Sequence, residues 1–286
     1  MADVRKGHVE SPRDILKRHG LHAKYSWGQN FLGDERALQG IADALALRPG
    51  EPVVELGPGL GHLTRFLAAT GAQVTAVERD RDMISVLEKE AIPGVRVVAG
   101  NAATVDFAQA AGVPQVAVVG NLPYHLTSSI LFQVLDQRAQ VSRAVFTLQK
   151  EVVERLAAEP GTRDYGLLSV LLGLHFGIEH LFTLESRLFH PPPKVDSAVV
   201  RLTRLASPLA PVVDEERFTR VVKASFAHRR KTLLNSLKSD RTLATPEQYV
   251  HALEAAGIDP MRRAETLSPQ EFAALERGLG PLTEGA

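Results

Sequence analysis

Apolar and polar positions change period repeatedly along the chain, and each change marks an element. PVVEL (52–56), QVTAVE (73–78), VRVVAG (95–100), VAVVGN (116–121) and RAVFTLQ (143–149) are short runs rich in β-branched residues, bounded by Gly, Pro or polar clusters. Runs of that length and make-up read as buried strands. Between them lie segments with apolar residues at helical spacing: LTRFLAATG closed by Gly71, DRDMISVLEKE with Asp80 near its start, SSILFQVLDQ and KEVVERLAA. Ahead of the alternation, Ser11-Pro12 reads as a cap and first helical residue, opening a helix to about Arg18 that Gly20 stops. SWGQNFL (26–32) is a loop. Asp34 and Glu35 then begin a helix with Leu38, Ile41, Ala42 and Leu45 on one face, ended by Pro49-Gly50. Two further β-rich pieces, HFGIEHLFTL (175–184) and SAVVRLTRL (197–205), flank the loop FHPPPKVD.

Strands alternating with helices imply right-handed βαβ crossovers and a mostly parallel sheet covered on both faces, with the last strands closing it as an antiparallel edge. Around SPLAPVVDEE (207–216) the pattern changes. Two prolines in a polar stretch suggest a linker, and the chain beyond it reads as helix over 215–239, 246–256 and 268–278. The expected organisation is an α/β domain over residues 1–206, with an N-terminal extension 1–27, then a small all-helical domain over 207–286.

Composition narrows the class. The 286 residues are 44% hydrophobic and 23% charged, which suits one large core plus a small appendage. No apolar run reaches the roughly 18 residues that cross a bilayer, and the charged start MADVRKGHVESPRD lacks the apolar segment of a secretory signal. With no cysteine there is no disulfide framework and no thiolate ligand or nucleophile. A cytoplasmic location is expected. Formal net charge is zero, yet Arg201 to Arg241 holds ten Lys/Arg against four Asp/Glu. Such a local basic surface suits phosphates, and a solvated helix face would explain it as well.

Gly57, Gly59 and Gly61 sit between the first strand and its helix, where glycine lets backbone turn sharply and approach a ligand. The second strand ends in Glu78, placed to accept hydrogen bonds from ribose hydroxyls. The glycine loop alone does not decide between a dinucleotide, whose pyrophosphate needs the helix N-terminus, and S-adenosylmethionine, whose loop E-x-G-x-G-x-G matches Glu55 through Gly61. NLPY (121–124) decides. The N6 amine of adenine is a poor nucleophile because its lone pair is delocalised into the ring. Two acceptors aimed at its N–H bonds, the Asn121 side-chain oxygen and the Leu122 carbonyl, would help it pyramidalise. Each well-placed group is worth roughly 10²–10³ in rate by analogy with oxyanion-hole donors. Pro123 restricts Leu122 to extended geometry, and Tyr124 offers a face for a splayed-out base. Catalysis would then be positioning, with no obligatory metal.

Asn101, after the third strand, could meet a cofactor adenine or simply be a turn residue. Asn30 has the setting of a turn or cap. Phe189, before three prolines, fits a second stacking face and a core anchor equally. In SFAHRRKTLLNSL (225–237), Arg229, Arg230 and Lys231 would border an apolar helix face and suit an RNA backbone.

In order, GQNFL, VVELGPGLGHLT, NLPY, LQKEVVERL, FHPPPKVDSAVVRL and FAHRRKTLLNSL resemble the KsgA family of rRNA adenine N6,N6-dimethyltransferases, from about Gly28 to Leu267. The resemblance is closest to the bacterial small-subunit branch. It implies a Rossmann-like class I methyltransferase sheet with a helical RNA-binding tail, acting as a monomer. It implies use of S-adenosylmethionine, with S-adenosylhomocysteine as product, to place four methyls on two adjacent adenosines in the 3′-terminal hairpin loop of 16S rRNA in the immature 30S subunit. Family cofactor contacts would fall on Asn30, Leu32, Gly57, Glu78, Asn101 and Asn121, and the target base among Asn121, Leu122, Pro123, Tyr124 and Phe189. Two positions depart: Asn101 where the family usually has Asp, and His125 where Asn is common. The rival readings are a resistance-type 23S rRNA adenine methyltransferase, a small-subunit assembly factor with vestigial catalysis, and an NAD dehydrogenase, which would leave NLPY and the basic tail idle.

Overall fold

The computed structural model describes residues 10–280. The chain divides into two compact units, one running to Val153 and resuming over Glu179–Arg204, the other formed by Glu154–Ile178 and the chain from Leu205.

In the first unit, α1 (Pro12–Arg18) opens under Ser11, whose hydroxyl accepts the Asp14 N–H at 3.2 Å. A short strand β1 (Phe31–Leu32) comes next, then α2 (Glu35–Leu45) capped by Asp34. The alternation runs β2 (Pro52–Leu56), α3 (His62–Ala69), β3 (Gln73–Glu78), α4 (Arg81–Glu90), β4 (Val95–Ala99), α5 (Phe107–Ala111), β5 (Val116–Asn121), α6 (Thr127–Asp136), β6 (Val141–Gln149) and α7 (Lys150–Leu156). After β7 (Phe176–Leu184) come β8 (Phe189–His190) and β9 (Ser197–Arg204). The main sheet has the order β4-β3-β2-β5-β6-β9-β7. Its first five strands are mutually parallel, and β9 runs antiparallel to β6, as the alternation predicts. The direction of winding reverses between β2 and β5. Ligands of open α/β sheets bind at such a switch point, outside the carboxyl ends of the strands.

Burial explains the periods. The apolar face of α2 (Leu38, Ile41, Leu45) packs with Val53, Val74, Val119 and Val145 of the sheet. Each such side chain taken from water contributes about 1.5–3 kcal/mol. On a second cluster, Ile15 and Leu16 of α1 meet Phe31, Leu60, Met83 and Val86. The described part of the N-terminal extension is therefore packed: the Glu10 carbonyl meets His62 Nε2 at 3.0 Å and Arg18 pairs with Glu90 at 2.7 Å. Residues 1–9 of the expected extension lie outside the described residues. The loop expected at 26–32 contains β1, which pairs antiparallel with β8.

The second unit contains α8 (Leu167–Gly173), α9 (Glu215–Phe226), α10 (Leu233–Leu237), α11 (Pro246–Ala255) and α12 (Pro269–Gly278). Capping boxes at Thr245/Gln248 and Ser268/Glu271 start the last two. Its core holds Phe218, Leu233, Leu237, Tyr249, Leu253 and Phe272. Two expectations change here. The unit also takes in residues 154–178, because α8 buries Val170, Leu171 and Leu172, and the Tyr165 ring lies 6.4 Å from that of Phe226. The single helix expected over 215–239 is broken at 227–232. There the Ser236 hydroxyl accepts the His228 N–H and donates to the Ala224 carbonyl, while Leu233 and Leu234 N–H bond to the Arg262 and Pro260 carbonyls. Those outside acceptors turn the chain. Arg229, Arg230 and Lys231 accordingly stand on an exposed turn instead of on a helix face.

Candidate active site

The carboxyl ends of β2, β3 and β5 frame a cavity of about 210 Å³. The loop after β2 forms its floor. Gly57, Gly59 and Gly61 all have left-handed φ of 66°, 56° and 80°, a conformation that strains residues with a Cβ. A Cβ on Gly59 would also lie 2.8 Å from the Phe31 ring, whereas one on Gly57 would meet no protein atom within 4 Å. Backbone at Gly57 is thus open to close approach by a ligand. Gly57 N–H bonds the Val77 carbonyl at 3.0 Å, tying the loop to β3.

Glu78 completes the tie. One carboxylate oxygen accepts the Gly59 N–H at 3.1 Å, and the other accepts those of Arg79 and Asp80, each at 2.8 Å. Burial raises its pKa, the Asp80 charge adds to the effect, and the three backbone bonds oppose it. Glu55, also on the cavity wall, is 2% exposed and leaves Oε2 without a partner. Burial pushes it up to about 8, the Glu78 charge adding and the Thr64 hydroxyl opposing.

At the tip of β5, Asn121 donates its side-chain nitrogen to the Asn30 carbonyl at 3.0 Å. A carbonyl can only accept, so the amide oxygen is turned away from Asn30 and stays an acceptor. Leu122 N–H bonds the Thr147 carbonyl at 3.3 Å, holding the NLPY turn to the sheet. Pro123 leads into a tight turn at Tyr124–Leu126. The Tyr124 hydroxyl meets Ser197 Oγ at 2.8 Å, which fixes its half-buried ring. Burial raises the phenol pKa; the Ser197 bond opposes this and the Asp196 charge adds to it. Phe189, 5% exposed, is set by its pairing with Leu32.

Asn30, Leu32, Gly57, Glu78, Asn101, Asn121, Leu122, Pro123, Tyr124 and Phe189 all line this one cavity. Asn30 is a turn residue in local terms, its amide donating to the Gly28 carbonyl at 3.1 Å. Asn101 closes its own turn through an Ala103 N–H bond at 3.0 Å. Arg229, Arg230 and Lys231 belong to the other unit and are not part of the lining.

Sequence reasoning passed over one feature. Asp80, 2% exposed, accepts from Lys24 Nζ at 2.6 Å and from the Gln29 side chain at 2.8 Å. Two cations stand over the Trp27 ring, Lys24 at 5.2 Å and Arg79 at 4.7 Å from its centre, a favourable placement for an aromatic face. Segment 24–30 is thereby strapped to the end of β3, and Ser26 through Asn30 wall the cavity. Lys24 and Trp27 carried no signal in sequence beyond nearness to GQNFL.

A family model for ribosomal RNA adenine dimethylases matches residues 20–279. The chain belongs to that family. It is 80% identical over 275 residues to a ribosomal RNA small subunit methyltransferase A of Myxococcus xanthus (strain DK1622), covering 96% of this chain and 97% of the relative. Among solved structures it is similar to a dimethyladenosine transferase from Plasmodium falciparum, with a TM-score of 0.72 and 25% identity over 86% of this chain and 95% of that one. It is also similar to the 23S rRNA methyltransferase ErmE, with a TM-score of 0.66 and 32% identity over 88% of this chain and all of that one. The fold is that of these methyltransferases. An rRNA adenine dimethylase uses S-adenosylmethionine, and the residues here fit that cofactor: a glycine loop open at Gly57, the Glu78 carboxylate at the end of β3, and the Asn121 amide on the same cavity.

Proposed function

We propose that the chain dimethylates N6 of two adjacent adenosines in the 3′-terminal hairpin loop of 16S rRNA, acting on the immature small subunit in the cytoplasm. Membership of the rRNA adenine dimethylase family and 80% identity to a small-subunit methyltransferase together support this reading. The observation that carries the site reading is the Asn121 amide, anchored through its nitrogen and offering its oxygen.

The bound cofactor supplies an electrophilic methyl group. The chain's own residues do the rest. Gly57 and Glu78 hold the nucleoside end of the cofactor, with Asn30, Leu32 and Asn101 around it. Tyr124 and Phe189 clasp the extruded base between ring faces, replacing part of the stacking lost on flipping. In the first transfer the Asn121 oxygen and Leu122 carbonyl accept hydrogen bonds from the two N6–H groups and draw the lone pair out of the ring; in the second, the one remaining N–H donates to one of them. Because these acceptors are fixed by the sheet beforehand, little reorganisation is needed as charge develops. A methylated N6 carrying positive charge is acidic, so its proton passes to water without a strong base. Arg229, Arg230 and Lys231 contact RNA phosphates.

The 23S reading draws on the likeness to ErmE at 32% identity, against 80% for the small-subunit relative. Incubating the purified chain with S-adenosylmethionine and either immature 30S particles or naked 23S rRNA separates the two. Mass spectrometry of the digested RNA should find dimethyladenosine only from the 30S sample, and product only from 23S rRNA would overturn the assignment.

A further inference from the structure

A second cavity, of about 440 Å³, opens in the same α/β unit. Arg13 and Lys17 of α1 line it with His22, Tyr25, His190 and Pro191, and no acidic residue is part of its described lining. Arg13 and Lys17 are four residues apart and share one face of the helix. Both are exposed and neither has an acidic partner among the described residues. Their neighbour Arg18 differs, being held by Glu10 at 2.8 Å and Glu90 at 2.7 Å. Beside these cations Tyr25 leaves 81% of its surface in water, an unusual position for a ring that gains from burial or stacking.

The cavity is built against the methyl-transfer site. Ile15 and Leu16 of α1 pack with Phe31 and Leu60, which line the first cavity, and Leu16 also lines the second. In the β1–β8 ladder, Phe31 faces His190 and Leu32 faces Phe189. Phe31, Leu32 and Phe189 of this ladder line the first cavity and His190 lines the second. The two-residue ladder thus borders both cavities.

We propose that the second cavity receives the single-stranded RNA directly next to the target adenosine. Arg13 and Lys17 take a phosphate, Tyr25 stacks on the base, and His22 and His190 border its edges. Basic groups interleaved with an aromatic face are what holds single-stranded nucleic acid without reading its sequence. In a chain of zero net charge, a polyanion is drawn only where cations are gathered and unpaired. The inference rests on the rRNA-methylation reading and adds where the flanking strand runs.

The test uses the full chain, its exposed positions substituted as Arg13→Ala with Lys17→Ala, and separately as Tyr25→Ala. Affinity for S-adenosylhomocysteine, by calorimetry, should match the parent in both and so certify folding. Methyl transfer to immature 30S particles should show KM raised about tenfold with kcat held. The double variant should also lower the slope of log affinity against log salt by about 0.7, one single-strand phosphate contact's worth, and Tyr25→Ala should leave that slope intact. A photo-crosslinker at position 25 should label RNA within a few nucleotides of the dimethylated adenosines. An active parent with unchanged KM in both variants, or a crosslink to a distant helix or to protein, would overturn the proposal. A parent that methylates no small-subunit RNA would instead overturn the functional reading beneath it.

Discussion

The side-chain nitrogen of Asn121 donates to the backbone carbonyl of Asn30 at 3.0 Å, across 91 residues of sequence. One bond therefore both joins the GQNFL loop to the NLPY turn and selects which amide atom faces the cavity. Asn121→Ala removes acceptor and anchor together, and kcat should fall by roughly 10²–10³. Asn121→Asp keeps an oxygen but sets a carboxylate against the Asn30 carbonyl, so the side chain turns away and kcat should fall comparably. Single-turnover methyl transfer measures the loss, and co-sedimentation with 30S particles should stay within about twofold of the parent. A loss under tenfold for both would remove the oxygen from the reaction.

Asp80 should govern cofactor retention without touching the reacting atoms. Asp80→Ala removes the acceptor of the Gln29 amide and one of the two carboxylates that hold Lys24, Asp82 at 2.6 Å being the other, and so loosens segment 24–30. Bonds to a buried charge contribute about 1.5–3 kcal/mol each, but Lys24 is a third exposed and water screens part of that. About tenfold weaker S-adenosylhomocysteine binding is expected. Trp27 is the chain's one tryptophan, so its emission should shift to longer wavelength in the variant and report the opening directly. Unchanged emission together with unchanged affinity would mean the strap holds by other contacts.

The parallel sheet was legible because buried strands of β-branched residues and amphipathic helices have different periods, and nothing in the α/β unit overrides them. That Asn121, Glu78, Gly57 and Gly59 gather on one cavity was legible for a related reason: polar or conformationally special residues at the ends of parallel strands collect on one edge of the sheet. Helix α8 escaped because in LLSVLLG only Ser169 is polar, so the segment carries no helical period. The break at 227–232 escaped because it depends on acceptors at Pro260 and Arg262, distant in sequence. The Asp80 strap was hidden for the opposite reason. A helix cap and a carboxylate holding a lysine 56 residues away look alike in sequence.

Glu55 predicts a pH dependence of stability. Its folded-state pKa is raised from 4.5 to about 8 by burial. Below about pH 4.5 both folded and unfolded chains keep the proton and the group costs nothing. Above that the unfolded chain ionises while the folded one does not, so stability falls as pH rises and levels off near pH 8. Each unit of separation is worth about 1.4 kcal/mol, so the total is on the order of a few kcal/mol. Glu55→Gln removes the titration. Urea denaturation of the cofactor-free protein at pH 5 and pH 8 should show the parent losing more stability over that interval than the variant, with the variant more stable at pH 8. Parallel losses in the two proteins would place Glu55 in contact with water.

In the helical unit, Glu276 is fully buried and holds Arg217, itself 4% exposed. The same carboxylate accepts the Val213 and Asp214 N–H groups at 3.1 and 3.2 Å, so it fastens the start of α9 to α12. Breaking a buried pair from one side leaves an uncompensated charge, which costs about 3–5 kcal/mol. Glu276→Ala should lose that much, because it strands the guanidinium and two amides at once. Glu276→Gln retains one oxygen for the backbone amides and should lose less, since Arg217 also donates to the Gly280 carbonyl. Equilibrium denaturation of the full chain ranks the two. If Ala and Gln cost the same small amount, below about 1 kcal/mol, water has reached the pair and the clamp carries no stability.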